Sequence, residues 1–96
     1  MGSREIFLYG TRSCGYCAAA RKLLMRKNFS FSDIALDENP ELRTEILLRS
    51  GRKTVPQIWI GDQHVGGYTE LFDLDRCGEL DRQLSTMVDN RLDDPA

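Results

Sequence analysis

The feature that most restricts this chain is a pair of cysteines three residues apart, Cys14 and Cys17, at the junction of two hydrophobic periodicities. The run EIFLY (5–9) before them is apolar and of strand length. After them Cys17, Ala20 and Leu24 recur at i, i+3 and i+7, with Leu23 alongside, which is one face of a helix. Cys14 therefore stands just past a strand, at the first turn of a helix.

A Cys-x-x-Cys serves a metal site, a disulfide staple or a redox centre, and its neighbours separate these readings. A structural zinc ion needs two more ligands. The candidates are Cys77 and His64, which lack paired spacing. A buried structural pair makes no use of the strand-to-helix junction, whereas a redox centre does. The first helical N–H groups have no intrahelical partners, and the helix dipole is positive there. Arg12 is close in sequence and adds positive charge. These effects lower a cysteine pKa below its free value of about 8.5, and the thiolate is the reactive species. Cys17 lies about one turn further in on the same face. The residues thus assign Cys14 as nucleophile and Cys17 as resolving thiol.

The remaining pattern supplies a frame. FSFSDI (29–34) reads as a second strand. Asn39, Pro40 and Glu41 begin a second helix, with Leu42, Ile46 and Leu47 as its apolar face, Arg49 in its last turn and Gly51 to end it. VPQIWIGDQHVGG (55–67) reads as two short strands joined at Gly61-Asp62-Gln63. Thr69 is the expected cap of a third helix carrying Leu71, Phe72 and Leu74. Gly78 interrupts it, and Leu80, Leu84, Met87 and Val88 form a last helical face. The order β-α-β-α-β-β-α-α implies an α/β fold: a central four-stranded mixed sheet with helices on both faces and a right-handed first crossover.

At 96 residues the chain fits one domain, expected over 4–88, with residues 1–3 and 89–96 as flexible termini. No apolar run approaches the ~20 residues of a membrane span, and no secretory leader is visible. A net charge of −2 gives no electrostatic case for nucleic acid or an anionic membrane. Three cysteines do not make a secreted disulfide framework. The expected setting is reducing and cytoplasmic.

Three motifs in order, CGYC (14–17), TVPQIWIG (54–61) and GGYTEL (66–71), resemble those of the glutaredoxins, members of the thioredoxin superfamily. The resemblance spans about residues 4 to 85 and implies a thioredoxin-like fold and glutathione as the reductant. It implies that Pro56 is cis and turns the Val55 backbone toward the cysteinyl part of glutathione, beside Thr54. It places the γ-glutamyl carboxylate at Gly67, Tyr68 and Thr69, with Glu70, where Asp is usual, facing the α-amino group. Tyr16 would flank the glutathione sulfur, and Arg43 would meet the glycyl carboxylate. Arg12 is the basic residue nearest the cysteines, although the family's usual position for one is here Thr11.

The resemblance implies reduction of protein disulfides and glutathione mixed disulfides by a monomer. Gly15, where many dithiol members carry Pro, raises an alternative. This is a [2Fe–2S] carrier in which Cys14 and glutathione from each of two copies ligate the cluster. A further alternative is an electron donor served by thioredoxin reductase; GGYTE and Arg43 argue against it. A thioredoxin proper fits less well, because Ser13 replaces the aromatic residue before its first cysteine.

Overall fold

The computed structural model describes residues 5–84. The strands are β1 (Ile6–Gly10), β2 (Ser32–Ala35), β3 (Gln57–Ile60) and β4 (Gln63–Gly66). The helices are α1 (Gly15–Arg26), α2 (Pro40–Ser50) and α3 (Tyr68–Arg76). The sheet order is β2-β1-β3-β4. β1 pairs parallel with β2 and antiparallel with β3, and β3 pairs antiparallel with β4. This is the expected four-stranded mixed sheet of a thioredoxin-like fold.

Period-two alternation divides the two central strands between two cores. Ile6 and Leu8 of β1 and Ile58 and Ile60 of β3 point to one face, where they pack with Ala20, Leu23 and Leu24 of α1, Leu71 of α3, and Leu80 and Leu84. Tyr9 and Trp59 point to the other face and meet Leu36 and Ile46, with Leu42 packed against them. So α1 and α3 cover one face and α2 the other. Truncating a fully buried side chain such as Leu24 to Ala is expected to cost about 2–5 kcal/mol. The first core holds α1 to β1, and with it the position of Cys14 at the start of α1.

Several local expectations change. β2 begins at Ser32, because Phe29 and Phe31 pack into the first core from outside the strand. The hairpin turn is the two residues Gly61-Asp62, with Gly61 at φ 61°, and Gln63 already belongs to β4. Asn39 holds the N-cap position of α2 without a side-chain bond, while Gly51 ends the helix in the left-handed conformation (φ 72°). Leu47 and Phe72 stay largely exposed, so the buried faces of α2 and α3 are narrower than their periodicity suggests. Gly67, not Thr69, is the N-cap of α3. Gly78 turns the chain at φ 83°, and residues 79–84 are helical again. Met87, Val88 and the expected domain limits and termini lie outside the described residues.

Candidate active site

Strand β1 ends at Gly10, and four residues later the chain enters α1 with Cys14 as its N-cap, in extended geometry (φ −86°, ψ 125°). That geometry aims the open N–H groups of the first turn at the Cys14 sulfur. The carbonyl of Cys14 accepts from Ala18 N–H at 3.1 Å, closing the first helical ring. Cys17, one turn further along, is fully buried and its Sγ accepts from the Thr11 N–H at 3.4 Å. Gly10 makes room for it: a Cβ there would lie 2.6 Å from the Cys17 Sγ.

The two thiols are polarised in opposite directions. Partial burial pulls Cys14 upward. The Cys17 N–H, the Cys17 thiol, the Tyr16 N–H and the Arg21 guanidinium outweigh it, so Cys14 ionises below its ordinary value. For Cys17, burial dominates and raises the value. The Thr11 N–H opposes this, while neighbouring Cys14 adds to it. The outer sulfur is therefore the more acidic of the two and the inner one the less acidic.

The positive charge near Cys14 comes from a residue the sequence did not single out. Arg21, two helical turns along α1, bonds the Thr11 carbonyl at 3.1 Å and pairs with Asp33 at 2.8 Å. Arg12 instead pairs with Glu38, and its backbone N–H donates to Asp37 at 3.3 Å. Its guanidinium does not line the cavity beside the cysteines.

That cavity holds about 310 Å³ and is lined by Tyr16, Arg52, Thr54, Val55, Pro56, Gly67, Tyr68, Thr69 and Glu70. The Cys14 thiol reaches its rim, donating to the Val55 carbonyl at 3.6 Å. The Val55-Pro56 peptide is cis. Tyr16 is largely exposed, and its ring lies 6.2 Å from that of Tyr68. Arg43 is not in the cavity. It lines a shallow adjoining groove that shares Arg52, Thr54 and Val55 with it.

Arg52 is a second residue that sequence reasoning missed; the only signal was a basic pair, Arg52-Lys53, directly before Thr54. It lies 3.5 Å from Glu70. Glu70 folds back to accept the Gly67 N–H at 2.7 Å, which satisfies the start of α3. That bond, opposed by partial burial and aided by Arg52, holds the Glu70 carboxyl below its ordinary range. Gly66 (φ 122°) is needed for this arrangement: a Cβ would stand 2.8 Å from the Glu70 Oε1 and 3.0 Å from Arg52. The wall is thus bounded by a cation, a carboxylate and the backbone start of a helix. It offers charges of both signs and helix N–H groups along one side of the cavity.

Among the described residues, no helix is long and apolar enough to cross a membrane, and no cluster of three or more His, Cys, Asp or Glu could hold a metal ion.

Comparison with known proteins agrees with this geometry. The sequence model of the Glutaredoxin family matches residues 6–65. A glutaredoxin of Pseudomonas aeruginosa is 50% identical over 80 residues, covering 83% of this chain and 95% of that protein. The solution structure of a glutaredoxin from Brucella melitensis superposes with a TM-score of 0.78 at 46% identity, over 88% of this chain and 94% of that one. The crystal structure of a buckwheat glutaredoxin–glutathione complex gives a TM-score of 0.82 at 26% identity, over 88% and 79%.

Proposed function

This chain belongs to the glutaredoxin family of thiol–disulfide oxidoreductases, and we propose that it uses glutathione to reduce glutathione mixed disulfides and protein disulfides. The observation that carries this reading is the Cys14 thiol, polarised toward thiolate, at the rim of a cavity bounded by Val55, Arg52 and the start of α3.

The chemistry balances in two routes. On a glutathione mixed disulfide, the Cys14 thiolate attacks the glutathionyl sulfur. The S–S bond breaks, the substrate thiolate leaves and takes a proton, and Cys14 carries the glutathionyl group. A glutathione thiolate then attacks that group, releasing glutathione disulfide and the Cys14 thiolate. On a protein disulfide, Cys14 becomes joined to the substrate. Cys17 loses its proton and attacks the Cys14 sulfur, which frees the reduced substrate and leaves a Cys14–Cys17 disulfide. Two glutathiones restore both thiols and leave as glutathione disulfide. A reducing setting such as the cytoplasm supplies that glutathione.

Val55 presents backbone groups beside Cys14, where the cysteinyl unit of glutathione would pair like an added strand. Thr54 and Pro56 hold that edge. At the start of α3 the Tyr68 and Thr69 N–H groups suit the γ-glutamyl carboxylate and Gly67 leaves it room, while Glu70, which accepts the Gly67 N–H, offers its charge to the α-amino group. Arg43 and Arg52 in the adjoining groove suit the glycyl carboxylate, and Tyr16 flanks the sulfur. Arg12 is held by Glu38, outside the cavity.

The test is turnover of a glutathionylated protein with glutathione and glutathione reductase, beside the same assay with thioredoxin reductase. Activity in the first alone supports the reading. Activity in the second alone contradicts it and favours the thioredoxin-reductase-served donor.

A second reading, a [2Fe–2S] cluster shared by two copies, is favoured by one observation. Nothing lies within 4 Å of a Cβ built on Gly15, beside Cys14, so this surface leaves room. Cys14 would hold the iron with one glutathione thiolate, the same pair would come from the second copy, and Cys17 is too deep to ligate. Such a cluster would form on anaerobic purification with glutathione, survive Cys17→Ser and be lost in Cys14→Ser.

A further inference from the structure

Gln57 is the one fully buried polar side chain among the described residues, and all of its hydrogen-bonding groups are engaged. Its Nε2 donates to the Thr54 carbonyl at 2.9 Å and approaches the Thr54 Oγ1 at 3.3 Å. Its other end meets the His64 Nε2 at 2.7 Å. A carbonyl oxygen only accepts, so the amide nitrogen must face Thr54 and the amide oxygen must face His64. His64 then carries its proton on Nε2. If the amide flipped, it would set two oxygens against each other at Thr54 and leave the His64 N–H opposite an N–H donor. The His64 hydrogen bond therefore locks the orientation in which Gln57 can hold Thr54.

His64 is itself fixed. Its ring packs against Trp59, tilted by 34° with centroids 4.5 Å apart, and the Arg49 guanidinium lies 4.6 Å from the Trp59 ring. Burial first, then the charge of Arg52 against that of Glu70, with Arg49 adding to the first, hold the imidazole below its ordinary range. The chain of contacts runs from α2 through Trp59 of β3 and His64 of β4 to the segment that carries Val55. Within that chain of contacts Val55 packs against the cluster that holds Trp59, and Gln57 hydrogen-bonds the residue before it, Thr54.

We propose that Gln57, oriented by His64, is a positioning residue that sets the Thr54–Val55 edge of the cavity and with it the affinity for the peptide backbone of glutathione. This rests on the glutathione reading of the cavity. Gln57 meets no ligand; it acts by keeping the Thr54 carbonyl turned inward, which leaves the Val55 groups to face the cavity. Loss of the amide leaves the part-buried Thr54 carbonyl and the part-buried His64 N–H without that partner, and the segment is free to turn toward water.

The test combines binding and spectroscopy. S-methylglutathione, which cannot react, is titrated into wild type, Gln57→Leu, His64→Phe and the double variant. Leu keeps the apolar volume of Gln57, and Phe keeps the packing on Trp59. We expect binding to weaken about tenfold in Gln57→Leu and about threefold in His64→Phe. The double variant should bind no more weakly than Gln57→Leu, because both act through one bond. The His64 ring nitrogens should show the proton on Nε2 in wild type and a mixed tautomer in Gln57→Leu. A merely structural amide would lower the melting temperature and leave affinity in the folded protein unchanged, and that result overturns the proposal. So does a proton on Nδ1 in wild type. If Gln57→Leu does not fold, His64→Phe decides: unchanged affinity with unmoved Thr54 and Val55 amide signals overturns it. Wild type that binds no S-methylglutathione contradicts the glutathione reading instead, and the same amide signals then decide whether Gln57 and His64 set the edge.

Discussion

Gly10→Ala isolates the packing that seats the resolving cysteine. A Cβ at Gly10 would lie 2.6 Å from the Cys17 Sγ, 3.2 Å from its Cβ and 3.3 Å from the Leu8 Cδ2. Sulfur and carbon do not approach to 2.6 Å, so the Cys17 side chain must rotate or α1 must move away from β1. Both Cys17 and Leu8 are fully buried, which leaves no free volume for either. Overpacking of this kind costs about 1–3 kcal/mol. Rotation of Cys17 also gives up the Thr11 N–H at 3.4 Å. A loss of about 2 kcal/mol corresponds to a fall of roughly 10 °C in melting temperature for a domain of this size. Gly15→Ala is the control. Its Cβ meets nothing within 4 Å, and it opens a helix, so it should be neutral or stabilising by up to about 0.5 kcal/mol. Thermal unfolding followed by circular dichroism compares the pair. In addition, Gly10→Ala should slow protein-disulfide reduction more than deglutathionylation, because only the former needs Cys17 in place. Gly10→Ala as stable as Gly15→Ala would refute the packing argument.

Iodoacetamide alkylation of Cys14 should show an inflection below the free-thiol value of about 8.5, and Arg21→Gln should shift that inflection upward. Glu70→Gln should lower stability near neutral pH. The folded Glu70 pKa is depressed, so its contribution is present above the unfolded value of about 4.3 and is lost as pH falls through the folded one. The difference in melting temperature between wild type and variant should therefore shrink as pH drops below about 4. Arg43→Ala should raise the KM for glutathione substrates by about threefold to tenfold, the worth of one exposed charged contact, with the melting temperature unchanged.

The parts legible in the sequence were those governed by local periodicity. The i, i+3, i+7 spacing of Cys17, Ala20 and Leu24 named the buried face of α1, because one helix face is decided within the helix. Gly51 was readable as a left-handed helix end and Gly78 as a helix interruption, and both have positive φ. Thr69 was misleading. It has a capping side chain, but Glu70 at the third helical position bonds the Gly67 N–H, so the cap moved two residues earlier without needing a hydroxyl. Arg12 was near Cys14 in sequence but was drawn to Glu38, whereas Arg21 reached the site along the helix. Arg52 and Gln57 were invisible for the same reason. Their roles depend on Glu70, His64 and Thr54, which only the hairpin and α3 bring near.

The central claim is a division of labour between two thiols, and one paired assay tests it most directly. Cys17→Ser and Cys14→Ser are each supplied with a glutathionylated protein and with a disulfide-bonded protein, with glutathione as reductant. A mixed disulfide needs one protein thiolate, whereas release from a trapped protein disulfide needs a second thiol one turn away. Cys17→Ser should still remove glutathione, carrying it on Cys14 by mass spectrometry, and lose most protein-disulfide reduction, while Cys14→Ser should lose both. A Cys14→Ser protein that still deglutathionylates would contradict this division of labour.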